Sequence, residues 1–178
     1  GQFPIPYVHG LTMGELALMA NAKGWMGAKA KIQVVKMRGW TRSMTWPMTG
    51  LKWVPTSPNI PLAMSPNYYV ITGLVGGLAG GLDLGLFSPR AFQILGAPWI
   101  KPQMASYLRS KCPEIGVDPF TTPSGPGVIY HASPDGRGNL CAAAIHTLAE
   151  SNRLSRGAVF NKASASMMNL FYKVYGSG

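Results

Sequence analysis

Near its start the chain changes from a helical to an alternating pattern of apolar residues. Thr12 is followed three residues later by Glu15, the spacing of a capping box, and the apolar residues around them recur at helical intervals. We expect a helix that begins at Thr12 and fades at Gly24 or Gly27. The stretch Lys31–Arg38, KIQVVKMR, is β-branched and alternates apolar with polar residues, so it predicts a strand.

The next stretch, Met37–Pro61, follows neither periodicity. It contains three of the five tryptophans, four of the fifteen prolines and no acidic residue. Such a segment stays ordered only where its indole rings are buried, because each ring carries a large apolar area. We interpret residues 37–67 as a long ordered loop wrapped on the flanking sequence, with Trp40, Trp46 and Trp53 buried. Loops of this kind often carry functional sites, and the alternative is that the three rings only fill the core.

Tyr68–Leu74 predicts a second strand, and the whole segment 68–87 is rich in glycine. Its glycines recur every four residues, which on a helix gives a face for close packing, and its length matches a bilayer span with only Asp83 charged. Glycine lowers helix propensity by about 1 kcal/mol relative to alanine. We therefore favour a strand followed by a glycine-rich segment over a membrane helix. The interface candidates on this segment are Gly73, Gly77, Leu78, Gly81, Leu82 and Gly85.

Proline-led turns separate two short helices predicted in the middle of the chain. Ser88 caps the first, with Pro89 at its first helical position, and Gly96 ends it. Pro102 begins the second helix. The apolar face of this second helix is Met104, Ala105 and Leu108.

The last third predicts a short strand, one ambiguous segment and a final helix. Residues 118–139 are rich in turn residues around a strand at Val128–His131. Asn139–Leu148 is either a strand or a buried helix, and its alanines favour the helix locally. The basic tail, 151–178, ends in a helix over 163–175. The apolar side of that helix is Met167, Leu170, Phe171 and Val174.

Composition fits one folded domain over residues 1–178. Hydrophobic residues make up 47% and charged residues 12% of the chain, and this charged share is about half the usual one. With the order of elements, this predicts a single α+β domain, a small mixed β-sheet with flanking helices and long ordered loops. A surface with so few charges is either unusually neutral or extensively covered.

The net charge of +10 is unevenly distributed. No Asp or Glu occurs between Leu16 and Leu82, nor from Ser151 onward. A basic surplus attracts polyanions such as nucleic acid, acidic lipid or an acidic protein face. The positive residues are scattered singly, which weakens the nucleic-acid interpretation and suits other protein subunits as partners. Membrane contact through residues 68–87 stays open.

Candidate catalytic chemistry is sparse. The chain has only six carboxylates and no GxSxG, HExxH or phosphate-loop motif. Its cysteines and histidines have no metal-ligand spacing, so we expect no metal and no cofactor. A Cys112–Cys141 disulfide is open, although two free buried thiols are favoured. The chain begins at Gly1 and not at Met, which indicates a processed or excised product without a signal peptide.

Several blocks of the sequence, in order, resemble one known family. They are PIPYVHGLTMGELALMAN, VVKMRGWTRSMTW followed by TGLKWVPTSPNIP, RAFQILGAPWI and the stretch Asn139–Cys141. Together they cover most of residues 3–150 and resemble the C-terminal half of the exo-β-N-acetylmuramidase family, bacterial glycoside hydrolases that trim N-acetylmuramic acid from peptidoglycan fragments. The resemblance implies substrate contacts by His9, Thr12, Glu15, Trp40, Arg42, Ser57, Asn59 and Arg90.

Two features depart from that family. The resemblance implies a preceding Rossmann-like domain that supplies the main catalytic carboxylate, and we expect that half to be missing from this chain. The family's polar loop, of the form EGTN-SEGRGTT, is replaced here by TGLVGGLAGGLDLGLFS, so its acidic and basic groups are gone. We therefore expect no catalytic residue in this chain alone.

Three functions fit these observations. We favour a non-catalytic accessory or structural subunit of a larger assembly, derived from such a domain and mitochondrial if the source is eukaryotic. The first alternative is the substrate-binding half of an exo-β-N-acetylmuramidase, acting on peptidoglycan fragments in a bacterial envelope or periplasm. The second is a basic accessory protein that associates with nucleic acid.

Overall fold

The structure, a computed structural model, describes residues 3–78, 81–134 and 138–175, without the side chains of 170, 171 and 173–175. The helices are α1 (Met13–Ala22), α2 (Ser65–Leu78), α3 (Gln103–Lys111), α4 (Leu140–Leu154), α5 (Ala158–Asn161) and α6 (Ala165–Tyr175). The strands are β1 (Ile94–Gly96), β2 (Gly116–Thr122) and β3 (Gly125–His131), and a short 3-10 helix spans Trp46–Thr49. These elements confirm the predicted α+β class.

The three strands form one antiparallel sheet in the order β1-β3-β2. β2 and β3 make a hairpin with Asp118 opposite Ile129, and β1 joins the other edge of β3 with Ile94 opposite Ile129. The predicted mixed sheet is therefore antiparallel in the described part of the chain. The sequence pattern predicted a loop where β2 lies. Pro119 is tolerated there because β2 is an edge strand.

The hydrophobic core lies between this sheet and the helices α2, α3 and α4. α2 packs along α4, and α3 packs on β2. Tyr130 is fully buried, and its hydroxyl forms a hydrogen bond with that of Thr147 on α4 at 2.9 Å. Thr72 on α2 donates to the carbonyl of Phe92 at 2.7 Å. These two bonds fix α4 and α2 relative to the strands.

Tyr68–Leu74 is part of α2 and not the strand that we predicted. The most deeply buried apolar residues of α2, Ile71, Val75 and Leu78, follow helical spacing. Burial of this stripe outweighs the low helix propensity of the glycines between them. Among the described residues, no helix combines the length and the apolar character needed to cross a membrane.

Residues 88–96 are also not the predicted helix, since they form turns and then β1. Phe87 and Phe92 have left-handed φ angles of 61° and 64°, which interrupt a helix on both sides of the turns. The Ser88 hydroxyl donates to the carbonyl of Gly85 at 2.7 Å, so this side chain closes a turn instead of capping a helix.

Two of the three indole rings of the Trp-rich loop are not buried, contrary to our prediction. Trp40 and Trp46 are 36% and 37% exposed. Trp46 packs edge-on against Trp53 with ring centroids 5.1 Å apart. The two indole N–H groups donate to the carbonyls of Leu51 and Ile60, respectively. Contacts within the loop therefore hold the rings of Trp46 and Trp53, where we had expected the core to do so.

Lys31–Arg38 pairs with no other strand in the described part of the chain, so the prediction of a strand within a sheet is wrong there. Its residues up to Met37 nevertheless run without helix, turn or bend.

The remaining predicted helices are confirmed. α1 begins with the predicted capping box, the predicted apolar face of α3 is buried, and Asn139 caps α4, which identifies that segment as a helix. α6 lies within the predicted final helix, and Met167 is half-buried, while the side chains of Leu170, Phe171 and Val174 lie outside the described residues.

Candidate functional site

The N-terminus of α1 holds a carboxylate in a fixed position. The Thr12 hydroxyl accepts a hydrogen bond from the Glu15 N–H at 3.2 Å, and the Glu15 carboxylate accepts one from the Thr12 N–H at 2.8 Å. This reciprocal pair is the capping box that the sequence predicts. It leaves one carboxylate oxygen of Glu15 for another partner.

Arg42 from the Trp-rich loop supplies that partner. Its guanidinium contacts the second Glu15 oxygen at 2.5 Å and also donates to the carbonyl of Gly10. The same guanidinium lies 5.9 Å from the centre of the Trp40 ring. The hydrogen bond from the Thr12 backbone, followed by that from Arg42, lowers the pKa of the Glu15 carboxyl. Glu15 is therefore ionised at neutral pH and suits binding or positioning better than proton donation.

A shallow pocket of about 360 Å³ lies beside this network. We call it the His9 pocket, and it is lined by Tyr7, Val8, His9, Gly10, Tyr69 and Val70. His9 Nδ1 accepts a hydrogen bond from the Leu11 N–H at 3.0 Å, so Nε2 carries the proton of the neutral ring. The rings of Tyr7 and Tyr69 lie 6.4 Å apart. Arg42 donates to the backbone carbonyl of Gly10, one of the lining residues.

Ser57 and Asn59 form a separate group. The Asn59 side-chain oxygen accepts a hydrogen bond from the Phe87 N–H at 2.6 Å, and the Ser57 hydroxyl accepts one from the Asn59 N–H at 3.2 Å. These bonds fasten the Trp-rich loop to the segment after α2. Arg90 lies over the Phe120 ring at 4.9 Å, on the sheet. In the described part of the chain, no hydrogen bond or ion pair joins these three residues to the Arg42 network.

The interface candidates on residues 68–87 have mixed environments. Leu78 is buried in the core and Leu82 packs against it, so Leu78 is not on the surface of this structure. Gly73 packs against the Tyr69 ring, whereas Gly77 has open space beside it. Gly81 and Gly85 adopt left-handed φ angles of 79° and 63° in the segment after α2. The glycines therefore do not act as one continuous face.

Three other described carboxylates make structural bonds. Asp83 accepts from the Gly85 N–H at 2.9 Å, and buried Glu150 makes two hydrogen bonds to Arg153, at 2.6 and 2.7 Å. Asp118 contacts both Arg109, at 3.0 Å, and His131, at 3.3 Å. Within the residues described, no group of three His, Cys, Asp or Glu side chains could hold a metal ion.

The aromatic side of the pocket was not predicted from the sequence. Tyr7 belongs to the PIPYVHG block but was not singled out, and Tyr69 was placed on a strand. A helical interpretation of 65–78 would have separated Tyr69, 44% exposed, from the buried Tyr68. The helical spacing of the apolar residues in this segment was the signal available for it.

Comparisons with known proteins give three matches. Residues 1–64 match the family model "Exo-beta-N-acetylmuramidase NamZ, N-terminal". The peptidoglycan beta-N-acetylmuramidase NamZ of Bacillus subtilis is 40% identical over 101 residues, which are 57% of this chain and 23% of that protein. The crystal structure of a DUF1343 family protein from Bacteroides fragilis superposes with a TM-score of 0.86 at 34% identity, over 99% of this chain and 49% of that one.

These matches refine the assignment of the first residues. The resemblance had placed the whole chain in the C-terminal half of the family, whereas residues 1–64, with α1 and the Trp-rich loop, match the N-terminal model. The chain spans about a quarter of the length of the Bacillus relative and half of the Bacteroides relative. Together with the α+β fold, the three matches show that this chain is related to the exo-β-N-acetylmuramidase family.

Proposed function

We propose that this chain binds muramic-acid-containing fragments of peptidoglycan in the His9 pocket, as the substrate-binding part of an exo-β-N-acetylmuramidase-like protein. The observation that carries this proposal is the position of Arg42, which contacts both Glu15 and the pocket residue Gly10. This contact supports a position of the cation next to the pocket that Tyr7 and Tyr69 line.

The composition of the pocket suits a sugar that carries an acid. Ligand pockets combine apolar and aromatic walls with a few fixed polar groups, and Tyr7 and Tyr69 offer rings on which a pyranose can stack. Muramic acid differs from glucosamine by a lactyl ether with a carboxylate. A guanidinium has five N–H donors, and the bonds of Arg42 to Gly10 and Glu15 leave donors for that carboxylate.

The proposal assigns binding, and not cleavage, to the described residues. A glycosidase needs a protonated carboxyl to donate to the leaving oxygen. Glu15 has a lowered pKa and stays ionised, while Asp83, Asp118 and Glu150 are engaged in structural bonds. Cleavage therefore requires an acid that these side chains do not supply. Both relatives come from bacteria, which supports the cell envelope as the place of action and gives no support to the mitochondrion.

Calorimetric titration with N-acetylmuramic acid and N-acetylglucosamine tests this function. We expect the muramic sugar to bind at least tenfold more tightly, Tyr69→Ala to weaken both sugars, and Arg42→Gln to remove the preference. Arg90→Gln is the matched control, because Arg90 lies over Phe120 and outside the pocket. Absence of binding at millimolar sugar, or an unchanged preference in Arg42→Gln, would refute the proposal.

A second candidate is the non-catalytic accessory subunit. It is favoured by exposed apolar side chains in the Trp-rich loop, those of Met48, Leu51 and Val54. Contiguous exposed apolar surface marks partner contacts, and these three residues lie close together in the sequence. Purification of the native protein from its source, followed by gel filtration and mass spectrometry, tests it. A stable complex supports the subunit, and a single monomeric species without partners excludes it.

A further inference from the structure

Phe87 combines an exposed ring with a backbone conformation that disfavours a bulky side chain. The residue is 79% exposed, and its φ angle of 61° lies in the left-handed region. Gly85 has nearly the same φ angle, 63°, which glycine adopts freely, whereas a bulky residue is strained there. Strained residues cluster at functional sites. Because an exposed ring adds little to the core, the strain at Phe87 indicates a role in binding.

Hydrogen bonds on both sides fix the turn that carries this ring. The Phe87 N–H donates to the side-chain oxygen of Asn59 at 2.6 Å. The Ser88 hydroxyl donates to the carbonyl of Gly85 at 2.7 Å and accepts from the Arg90 N–H at 3.1 Å. The exposed ring is therefore attached to a fixed backbone, and a ligand that contacts it has less conformational freedom to remove.

The polar groups of this turn suit a neutral ligand with a hydrogen-bond acceptor. The Asn59 side chain has two amide N–H donors, and neither makes a hydrogen bond in the described part of the chain. The Asp83 carboxylate accepts from the Gly85 N–H at 2.9 Å, while the Arg90 guanidinium lies over Phe120. An anionic ligand would approach the carboxylate of Asp83, whereas a neutral ligand needs no opposite charge.

We propose that Phe87 and Asn59 form a binding site for a neutral N-acetylated sugar of a glycan. A pyranose has a face of C–H groups that packs on an aromatic ring, and its acetamido carbonyl accepts from an amide N–H. A protein partner would need contiguous apolar surface, but the polar residues Ser88 and Arg90 follow Phe87 within three positions. Neither Phe87 nor Asn59 lines the His9 pocket, so this inference is independent of the function proposed for that pocket.

The aromatic ring is a feature in which this chain departs from the resembled family. Phe87 lies in the stretch TGLVGGLAGGLDLGLFS, which replaces a polar loop of the form EGTN-SEGRGTT. The resemblance implied a substrate contact by Asn59 and none by Phe87. The geometry of the turn, and not the resemblance, therefore assigns the stacking role to Phe87.

Titration with triacetylchitotriose, a neutral trisaccharide of N-acetylglucosamine, tests the site by NMR and calorimetry. We expect the ring signals of Phe87 to shift and to saturate. Phe87→Leu should weaken binding roughly fivefold, because leucine keeps apolar area but offers no ring, and Phe87→Trp should retain binding. Val35→Ala is the matched control, since Val35 is an exposed apolar residue outside the turn.

Two further variants separate the amide and the strain from the ring. Asn59→Asp keeps an oxygen for the Phe87 N–H and removes the amide donors, so it should weaken the trisaccharide without a change in melting temperature. Phe87→Gly should remove the stacking and raise the melting temperature, because glycine relieves the left-handed strain. A melting temperature below that of the wild type would show that the ring serves the fold, and would count against a binding role.

Three other results would overturn the inference. They are the absence of a saturable shift at millimolar trisaccharide, equal binding by Phe87→Leu and the wild type, and shifts of the Tyr69 ring in place of Phe87. The last result would assign the trisaccharide to the His9 pocket. Failure of N-acetylmuramic acid to bind, with the Phe87 titration intact, would refute the proposed function alone, so the two failures are distinguishable.

Discussion

The Arg42 guanidinium and the Glu15 carboxylate meet at 2.5 Å across 27 residues of sequence. Each partner also holds a backbone group, since Arg42 donates to Gly10 and Glu15 accepts from Thr12. The pair therefore joins the Trp-rich loop, the pocket wall and the first turn of α1 in one network.

Stability should respond to pH through Glu15. Its pKa is lower in the folded chain than in the unfolded chain, so the ionised carboxylate stabilises the fold above the unfolded pKa. This stabilisation is lost as the pH falls through the folded pKa. In thermal unfolding, Glu15→Gln should therefore lower the melting temperature at pH 7. In acid, the melting temperatures of the variant and the wild type should become equal. Glu114→Gln, outside the network, is the control, and a constant difference at all pH values would contradict the assignment.

Removing one hydroxyl of the buried Tyr130–Thr147 pair should lower the free energy of unfolding more than removing both. Tyr130→Phe leaves the Thr147 hydroxyl buried without its partner, which costs about 1–3 kcal/mol of unfolding free energy. The double variant Tyr130→Phe with Thr147→Val removes both polar groups and should recover part of that loss. Urea denaturation measures the unfolding free energy of each variant. If the loss in the double variant equals the sum of the losses in the two single variants, the two hydroxyls do not interact.

Alanine substitution at two adjacent glycines of α2 should change the free energy of unfolding in opposite directions. A Cβ at Gly76 would collide with the side chain of Leu84, whereas Gly77 has open space. We expect Gly76→Ala to lower the unfolding free energy by about 1 kcal/mol because of overpacking. Gly77→Ala should raise it by roughly 0.5 kcal/mol because alanine favours the helix. Equal effects in denaturant titrations would argue against this packing.

The two thiols should react at different rates. Both cysteines are free, but Cys112 is buried and Cys141 is exposed, so the prediction of two buried thiols holds for Cys112 alone. Burial, and then the nearby charge of Glu114, raises the pKa of the Cys112 thiol. A colorimetric thiol reagent at pH 8 should label one thiol per native chain quickly and the second only after denaturation. Cys141→Ser should remove the fast phase.

Local signals predicted some elements well. The Thr12–Glu15 capping box and the apolar face of α3 depend on residues close in sequence, and the structure confirms both. The helix α2 could not be predicted from propensity, because its glycines oppose helix formation and burial of Ile71 and its neighbours decides the outcome.

The candidate site was predictable only in part. The resemblance named His9, Glu15 and Arg42, which the structure brings together, but also Arg90, which it places over Phe120. Contacts such as those of Arg42 with Gly10 depend on how the long loop returns to α1. No periodicity in the sequence encodes that return.

The unpaired stretch Lys31–Arg38 also affects the solubility of the isolated polypeptide. Its three cations repel the same stretch on neighbouring molecules, and added salt shortens that repulsion to a Debye length of about 10 Å at 0.1 M. Solubility should consequently decline as ionic strength rises, since strand edges recruit each other once the repulsion is screened. Preparations in buffer of low ionic strength should therefore aggregate most slowly.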